Sequence, residues 1–184
     1  MAGIRSVNPV TGFEFAVFEE DSEEVIERRL AAAAASVPLL ADLGWSGRAR
    51  LMRAAAELIE SDLEELADVI TLEMGKPIAQ ARAEVAKSAY AMRFYADNAE
   101  GFLQGRELDD PGAVSASAAR TRFEPLGVVL AVMPWNYPIW QVIRFAAPAL
   151  MAGNAGLLKH ASNVPQTAFY IGELFTRAGF PRGA

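Results

Sequence analysis

Two short segments hold the residues whose types and spacing could do chemistry. One is Met133-Pro134-Trp135-Asn136-Tyr137-Pro138, the other Lys159-His160-Ala161-Ser162-Asn163. Asn136 carries a neutral amide donor. Such a donor suits an oxygen on which negative charge develops, because it stays neutral throughout. The local pattern alone favours a plainer role, a turn residue between two prolines. Lys159 offers an ammonium group and, taken alone, is an ordinary solvated lysine at a strand end. The Ser162 hydroxyl either donates to a ligand or caps the helix that follows. Tyr137, Trp140, Gln141 and Arg144 recur at spacings of three and four, so they share one helix face. The Arg144 guanidinium can hold a carboxylate through two parallel hydrogen bonds. Its alternative is a structural ion pair with an Asp or Glu of the chain.

Composition removes other chemistries. The 184 residues include no cysteine, which excludes disulfides, thiolate metal sites and a cysteine nucleophile in this chain. The single histidine, His160, cannot build a metal site and is given no chemical role, so no metal is expected. Glu57, Glu60, Glu64 and Glu65 read as a solvated helix face, and no paired-carboxylate site is evident. The formal net charge is -6 and the sequence pI is about 4.9. The 17 Lys and Arg are scattered, so nucleic acid is not an expected partner. No apolar run is long enough to span a bilayer. Met1 to Val10 lacks a signal-type apolar stretch, which makes the cytoplasm the simplest compartment.

The elements around these segments follow from periodicity. Leu126 to Met133 is a continuous apolar run rich in β-branched residues, as expected of a strand buried on both faces. The spacing predicts a helix over Ile139 to Met151 with a kink at Pro148, a second strand over Ala155 to Lys159, and a helix over Val164 to Arg177. That order implies parallel strands joined by a right-handed crossover. Ligands of an open parallel sheet sit outside the carboxyl ends of its strands, where both segments fall. The glycine fingerprint G-x-G-x-x-G is absent, so the residues alone support only an α/β domain with a small-molecule site.

Upstream, Asn8 to Gly12 and Phe13 to Phe18 read as a hairpin. Asp21 and Glu24 form a capping-box pattern before a helix whose stripe is Ile26, Leu30, Ala33, Val37 and Leu40. A second helix from near Ser46 carries Leu51, Ala55, Leu58, Leu63, Leu66 and Ile70. Gly75 and Pro77 separate it from a third, with Ile78, Ala81, Val85, Met92, Tyr95, Ala99 and Phe102 on its buried side. This third helix is expected to lie on a sheet, since the charged flanks of a coiled coil are missing. Residues 106–117 read as a connector. With 52% hydrophobic residues, the chain can bury a core of ordinary size.

Several ordered motifs carry a resemblance. They are Asn8-Pro9 with Thr11-Gly12, Glu73-Met74-Gly75-Lys76-Pro77, Glu124 to Val128 running into Pro134-Trp135-Asn136-Tyr137-Pro138, Pro148 to Asn154, and Leu158-Lys159. Together they resemble the aldehyde dehydrogenase superfamily over essentially the whole chain. Gly75 to Ala89 and Leu158 to Ala161 look most like bacterial succinate-semialdehyde dehydrogenases. The resemblance implies the N-terminal part of that α/β fold, a helical front followed by the first βαβα of a Rossmann-like parallel sheet. It divides the chain into 1–112 (hairpin and helices of the cofactor-binding domain), 113–124 (a connector resembling an oligomerisation segment) and 125–184 (the start of the NAD(P)-binding sheet).

It also implies roles. Asn136 would be catalytic, stabilising the oxyanion of the attacked aldehyde. Pro134, Trp135, Asn136, Lys159 and Ser162 would contact the cofactor, with Lys159 on the adenosine ribose. Ser162 stands where NAD-preferring members often carry a glutamate, so NADP is slightly favoured over NAD. Tyr137, Trp140, Gln141 and Arg144 would line the aldehyde tunnel, with Arg144 selecting a carboxylate-bearing aldehyde such as succinate semialdehyde. The expected partners are a small-molecule aldehyde and, in a full-length enzyme, further copies in a dimer or tetramer. The family's catalytic cysteine and general-base glutamate would lie beyond Ala184, so the chain alone is expected to be inactive and poorly stable. A non-catalytic assembly module and an aldehyde dehydrogenase for another aldehyde are the alternatives.

Overall fold

A computed structural model describes residues 3–184. The reading of Met1 to Val10 as free of a signal segment therefore lies partly outside the described residues. The chain opens with an antiparallel hairpin, β1 (Ile4–Val7) and β2 (Glu14–Phe18). Its turn is built by Asn8, whose side-chain oxygen accepts from the Val10 and Thr11 amides at 2.9 and 3.3 Å. That local bond lets an asparagine imitate a backbone turn.

Four helices follow: α1 (Glu23–Asp42), α2 (Gly44–Ser61), α3 (Leu63–Met74) and α4 (Ile78–Phe102). Two sequence expectations need correction here. The cap of α1 is Ser22, which accepts from the Val25 amide, whereas Asp21 pairs with Arg29. The first turns of α1 also leave Ile26 and Leu30 exposed, and burial starts at Ala33. The stripe from Leu51 to Ile70 belongs to two helices, because the chain breaks at Asp62. That carboxylate accepts from the Tyr170 hydroxyl at 2.9 Å and pairs with Arg177 at 2.8 Å, so distant contacts hold the break. Gly75 ends α3 at φ 74°, a left-handed position where a side chain would be strained.

The second half alternates strand and helix: β3 (Val128–Val132), α5 (Trp140–Met151), β4 (Ala155–Lys159) and α6 (Pro165–Arg177). β3 and β4 pair in parallel, from Val128 opposite Ala155 to Val132 opposite Lys159. Asn154 starts this pairing. Its side-chain oxygen accepts from the Leu126 and Gly127 amides while its amide donates to the Ala149 carbonyl.

One contiguous core joins the two halves. Leu40, Met52, Ile59, Leu66, Ile70, Met92, Ile143, Met151 and Leu174 are fully buried in it. Each such side chain contributes about 1.5–3 kcal/mol relative to exposure. α4 packs on helices α2, α3 and α5 and not on the sheet, contrary to expectation, and α1 is the front helix that lies against the strands. Small residues such as Ala55, Ala56, Ala81 and Ala89 line the buried faces of α2 and α4 and let the backbones approach. β3 is not covered on both sides either. Ala131 is buried, but Leu130 and Val132 are 62% and 65% exposed. Among the described residues, no single helix is long and apolar enough to cross a membrane.

Candidate functional site

The parallel register sets the carboxyl ends of β3 and β4 side by side. The Met133 amide donates to the Lys159 carbonyl at 3.1 Å, one step beyond the last paired residues. The two chemistry-bearing segments are thus brought together, as their positions after consecutive strands predicted. Pro134, Trp135, Asn136 and Tyr137 form an exposed arch, and Pro138 and Ile139 dive back into the protein. Lys159, at the end of β4, and Ser162, on the loop that follows, are exposed beside it. Among the described residues, the side chains of Asn136, Lys159 and Ser162 make no hydrogen bond or ion pair with the protein. They are free to meet a ligand, and Ser162 does not cap α6.

The base of the arch is held from below by a buried carboxylate. Glu84 of α4 accepts from the Ile139 and Trp140 amides at 2.9 and 3.0 Å, and its other oxygen pairs with the Lys76 ammonium. The side chains of Lys76 and Glu84 are 6% and 1% exposed. Glu84 therefore caps α5 from 55 residues away, meeting its first free N–H groups and the positive end of its dipole. The Lys76 ammonium also lies 3.8 Å from the centroid of the Tyr137 ring, so one cation touches both the cap and the arch.

α6 is treated in parallel fashion. Glu73, the last buried residue of α3, accepts from the Gln166 amide at 2.8 Å and the Thr167 amide at 3.0 Å. The hydroxyls of Thr167 and Ser6 complete its shell. Both helices that follow the parallel strands thus carry an internal carboxylate at their N-termini. The amides that an anion would meet at these helix starts are therefore already bonded within the protein.

His160 joins the two loops. The Ala161 amide donates to its Nδ1 at 2.8 Å, so the ring proton is on Nε2, 2.8 Å from the Pro138 carbonyl oxygen. Burial first, opposed by the bond to Pro138, pushes its pKa below the ordinary value. The ring is therefore neutral at physiological pH.

The proposed substrate face is more divided. Trp140 and Gln141 are half-buried on the first turn of α5, and the Lys87 ammonium lies 3.9 Å from the centroid of the Trp140 ring. Arg144, one turn on, is exposed and makes no ion pair among the described residues, so the structural ion-pair alternative fails. It lines an open groove of about 490 Å³ between α4 and α5, with Tyr95, Phe102, Phe145 and Pro148. Tyr137, Trp140 and Gln141 do not line that groove.

Sequence reasoning missed Glu73, Lys76, Glu84 and His160 as parts of this arrangement. One signal existed. Glu84 lies in phase with Ala81, Val85, Ser88 and Met92, a charged residue on a buried stripe. A carboxylate placed there needs partners, and its partners are the end of a helix and a lysine.

Comparison with known proteins places the chain in a family. The description of the aldehyde dehydrogenase family matches residues 2–184. The chain is 52% identical over 181 residues to a succinate-semialdehyde dehydrogenase [NADP(+)] 1 of Mycobacterium ulcerans, covering 98% of this chain and 39% of that protein. It is 50% identical over 181 residues to an aldehyde dehydrogenase of Paenarthrobacter nicotinovorans, covering 98% and 40%. Its fold matches the crystal structure of succinic semialdehyde dehydrogenase from Streptococcus pyogenes in complex with NADP+, with a TM-score of 0.91 at 29% identity. That match covers 98% of this chain and 39% of the other. The chain spans about two fifths of the length of these relatives, and it belongs to the aldehyde dehydrogenase family.

Proposed function

We propose that this chain supplies the oxyanion donor, the ribose-binding lysine and the carboxylate-selecting arginine of an enzyme that oxidises succinate semialdehyde, or a similar carboxylate-bearing aldehyde, to the acid with NADP or NAD. The observation that carries the reading is the pair of loops at the ends of β3 and β4. They are tied together at their bases, and Asn136 and Lys159 are free at their rims.

The donor set fits a phosphorylated dinucleotide. The loop from Lys159 to Asn163 contains a lysine and a serine and no carboxylate, so nothing on it repels a 2′-phosphate. Lys159 and Ser162 would hold the adenosine ribose, and Pro134 and Trp135 would border the nicotinamide. The cofactor, when bound, accepts the hydride released as the aldehyde carbon is oxidised. Asn136 would donate its amide N–H to the aldehyde oxygen as a thiolate from outside this chain adds to the carbonyl. One such donor contributes on the order of 3 kcal/mol to the transition state. Arg144 would hold the far carboxylate of the substrate, while Tyr137, Trp140 and Gln141 would border the path to the arch. The NADP-linked relatives support the phosphorylated cofactor, and NAD is the alternative. The family also supports a homo-oligomer, with residues 113–124 taking part in its contacts and the three-part division of the chain retained.

The test is steady-state oxidation by the enzyme that carries this chain, with succinate semialdehyde against an uncharged four-carbon aldehyde and with each cofactor. Succinate semialdehyde should be preferred. Arg144→Ala should remove the preference by raising KM about tenfold or more, the loss of a charge-assisted pair. An unchanged KM would remove Arg144 from the substrate site. Strict use of NAD would overturn the argument from Ser162.

A further inference from the structure

We propose that His160 is a positioning residue, a latch that ties the arch after β3 to the loop after β4 and so fixes Asn136 relative to Lys159. This role rests on the functional reading of those two residues, but the latch itself is visible without it. Met133 donates its amide to the Lys159 carbonyl at 3.1 Å, and His160 donates its Nε2 proton to the Pro138 carbonyl at 2.8 Å. Two consecutive residues, Lys159 at the end of β4 and His160 just after it, therefore close both ends of the four-residue arch, 134–137, that contains Asn136. Pro138 has no amide proton of its own, so its carbonyl is the backbone group through which this end of the arch can be tied, and the His160 side chain reaches it. The ring is 9% exposed and is oriented by the Ala161 amide, which donates to Nδ1.

Only the neutral Nε2–H ring satisfies both contacts. A histidinium would set an Nδ1–H against the Ala161 N–H. The charged groups that face the ring are Glu73 from α3, Glu84 from α4 and the adjoining Lys159 of β4. Burial outweighs the two carboxylates and keeps the ring neutral. Protonation would keep the Nε2–H bond to Pro138 but remove the Ala161 bond to Nδ1 that orients the ring.

The chain has one histidine, so selective ¹⁵N-histidine labelling reports this ring and no other. The Nε2–H tautomer is expected. The Nδ1–H tautomer, or an average of the two, would overturn the latch. Backbone order of Trp135, Asn136 and Tyr137, measured by NMR relaxation, should fall in His160→Phe, which keeps a ring but loses both bonds. It should recover in His160→Gln, which keeps a donor. Unchanged order in His160→Phe would overturn the proposal, and these readouts hold even if the enzyme oxidises no aldehyde. In the active enzyme, His160→Phe should lower kcat about tenfold or more with little change in the aldehyde KM, and His160→Gln should restore most of it. An ordered-to-mobile change without any loss of kcat would confine His160 to structure and sink the positioning role.

Discussion

The two strand-to-helix crossings solve one problem in two ways. Each strand is five residues long, and each following helix has its N-terminus met by a buried glutamate from another part of the chain. At α6, Glu73 is surrounded by neutral donors, the two amides and the hydroxyls of Ser6 and Thr167. At α5, Glu84 shares its charge with Lys76, which in turn touches Tyr137 of the arch. The first arrangement anchors a helix. The second anchors a helix and also links the cap to the residue beside Asn136. A buried ion pair adds little net stability, since two desolvation costs offset its Coulomb gain, but breaking it is expensive. The crossing that bears Asn136 is therefore the one built to fail sharply.

The largest effect should follow Glu84→Ala. It strands the Lys76 ammonium and uncaps α5, and should destabilise the fold by about 3–5 kcal/mol in denaturant unfolding. Glu73→Ala uncaps α6 without stranding a charge, and should cost about 2–3 kcal/mol. Equal costs would erase the distinction between the two crossings. The paired change Lys76→Met with Glu84→Gln sharpens it further, and should cost less than Glu84→Ala alone because no unpaired charge is left buried. Ser6→Ala removes one hydroxyl donor from Glu73 and should cost about 1–1.5 kcal/mol.

The smallest effect is the pH dependence from His160. Its folded pKa lies below the unfolded value of about 6.5. The unfolded chain therefore binds more protons between those two values, and stability falls as the pH drops through that window. Above the unfolded pKa the residue contributes no slope. Unfolding of the parent chain and of His160→Gln, followed across this range, should differ in slope there and nowhere higher.

What could be read from the sequence was whatever lies within a few residues of its cause. β4 was placed residue for residue, and α5 and α6 to within one residue at their starts, since strand composition, prolines and glycines are local signals. Asn136, Lys159 and Arg144 were singled out from a motif, a strand end and a helix face, and all three side chains stand exposed. The break at Asp62 was missed because it is fixed by Tyr170 and Arg177, more than a hundred residues downstream. Glu73 and Glu84 were missed for the same reason, their partners lying 93 and 55 residues away. In β3 the local composition and the observed surroundings differ. Its unbroken apolar run announces two covered faces, yet Leu130 and Val132 stand open.

The filled helix ends bear on how this domain lives among the small anions of a cell. Inorganic phosphate and sulfate collect where a helix start presents bare N–H groups. At α5 and α6 those groups are already satisfied from within. Ambient oxyanions gain no foothold at these two sites, and any anion this domain meets is left to the exposed rims of the loops.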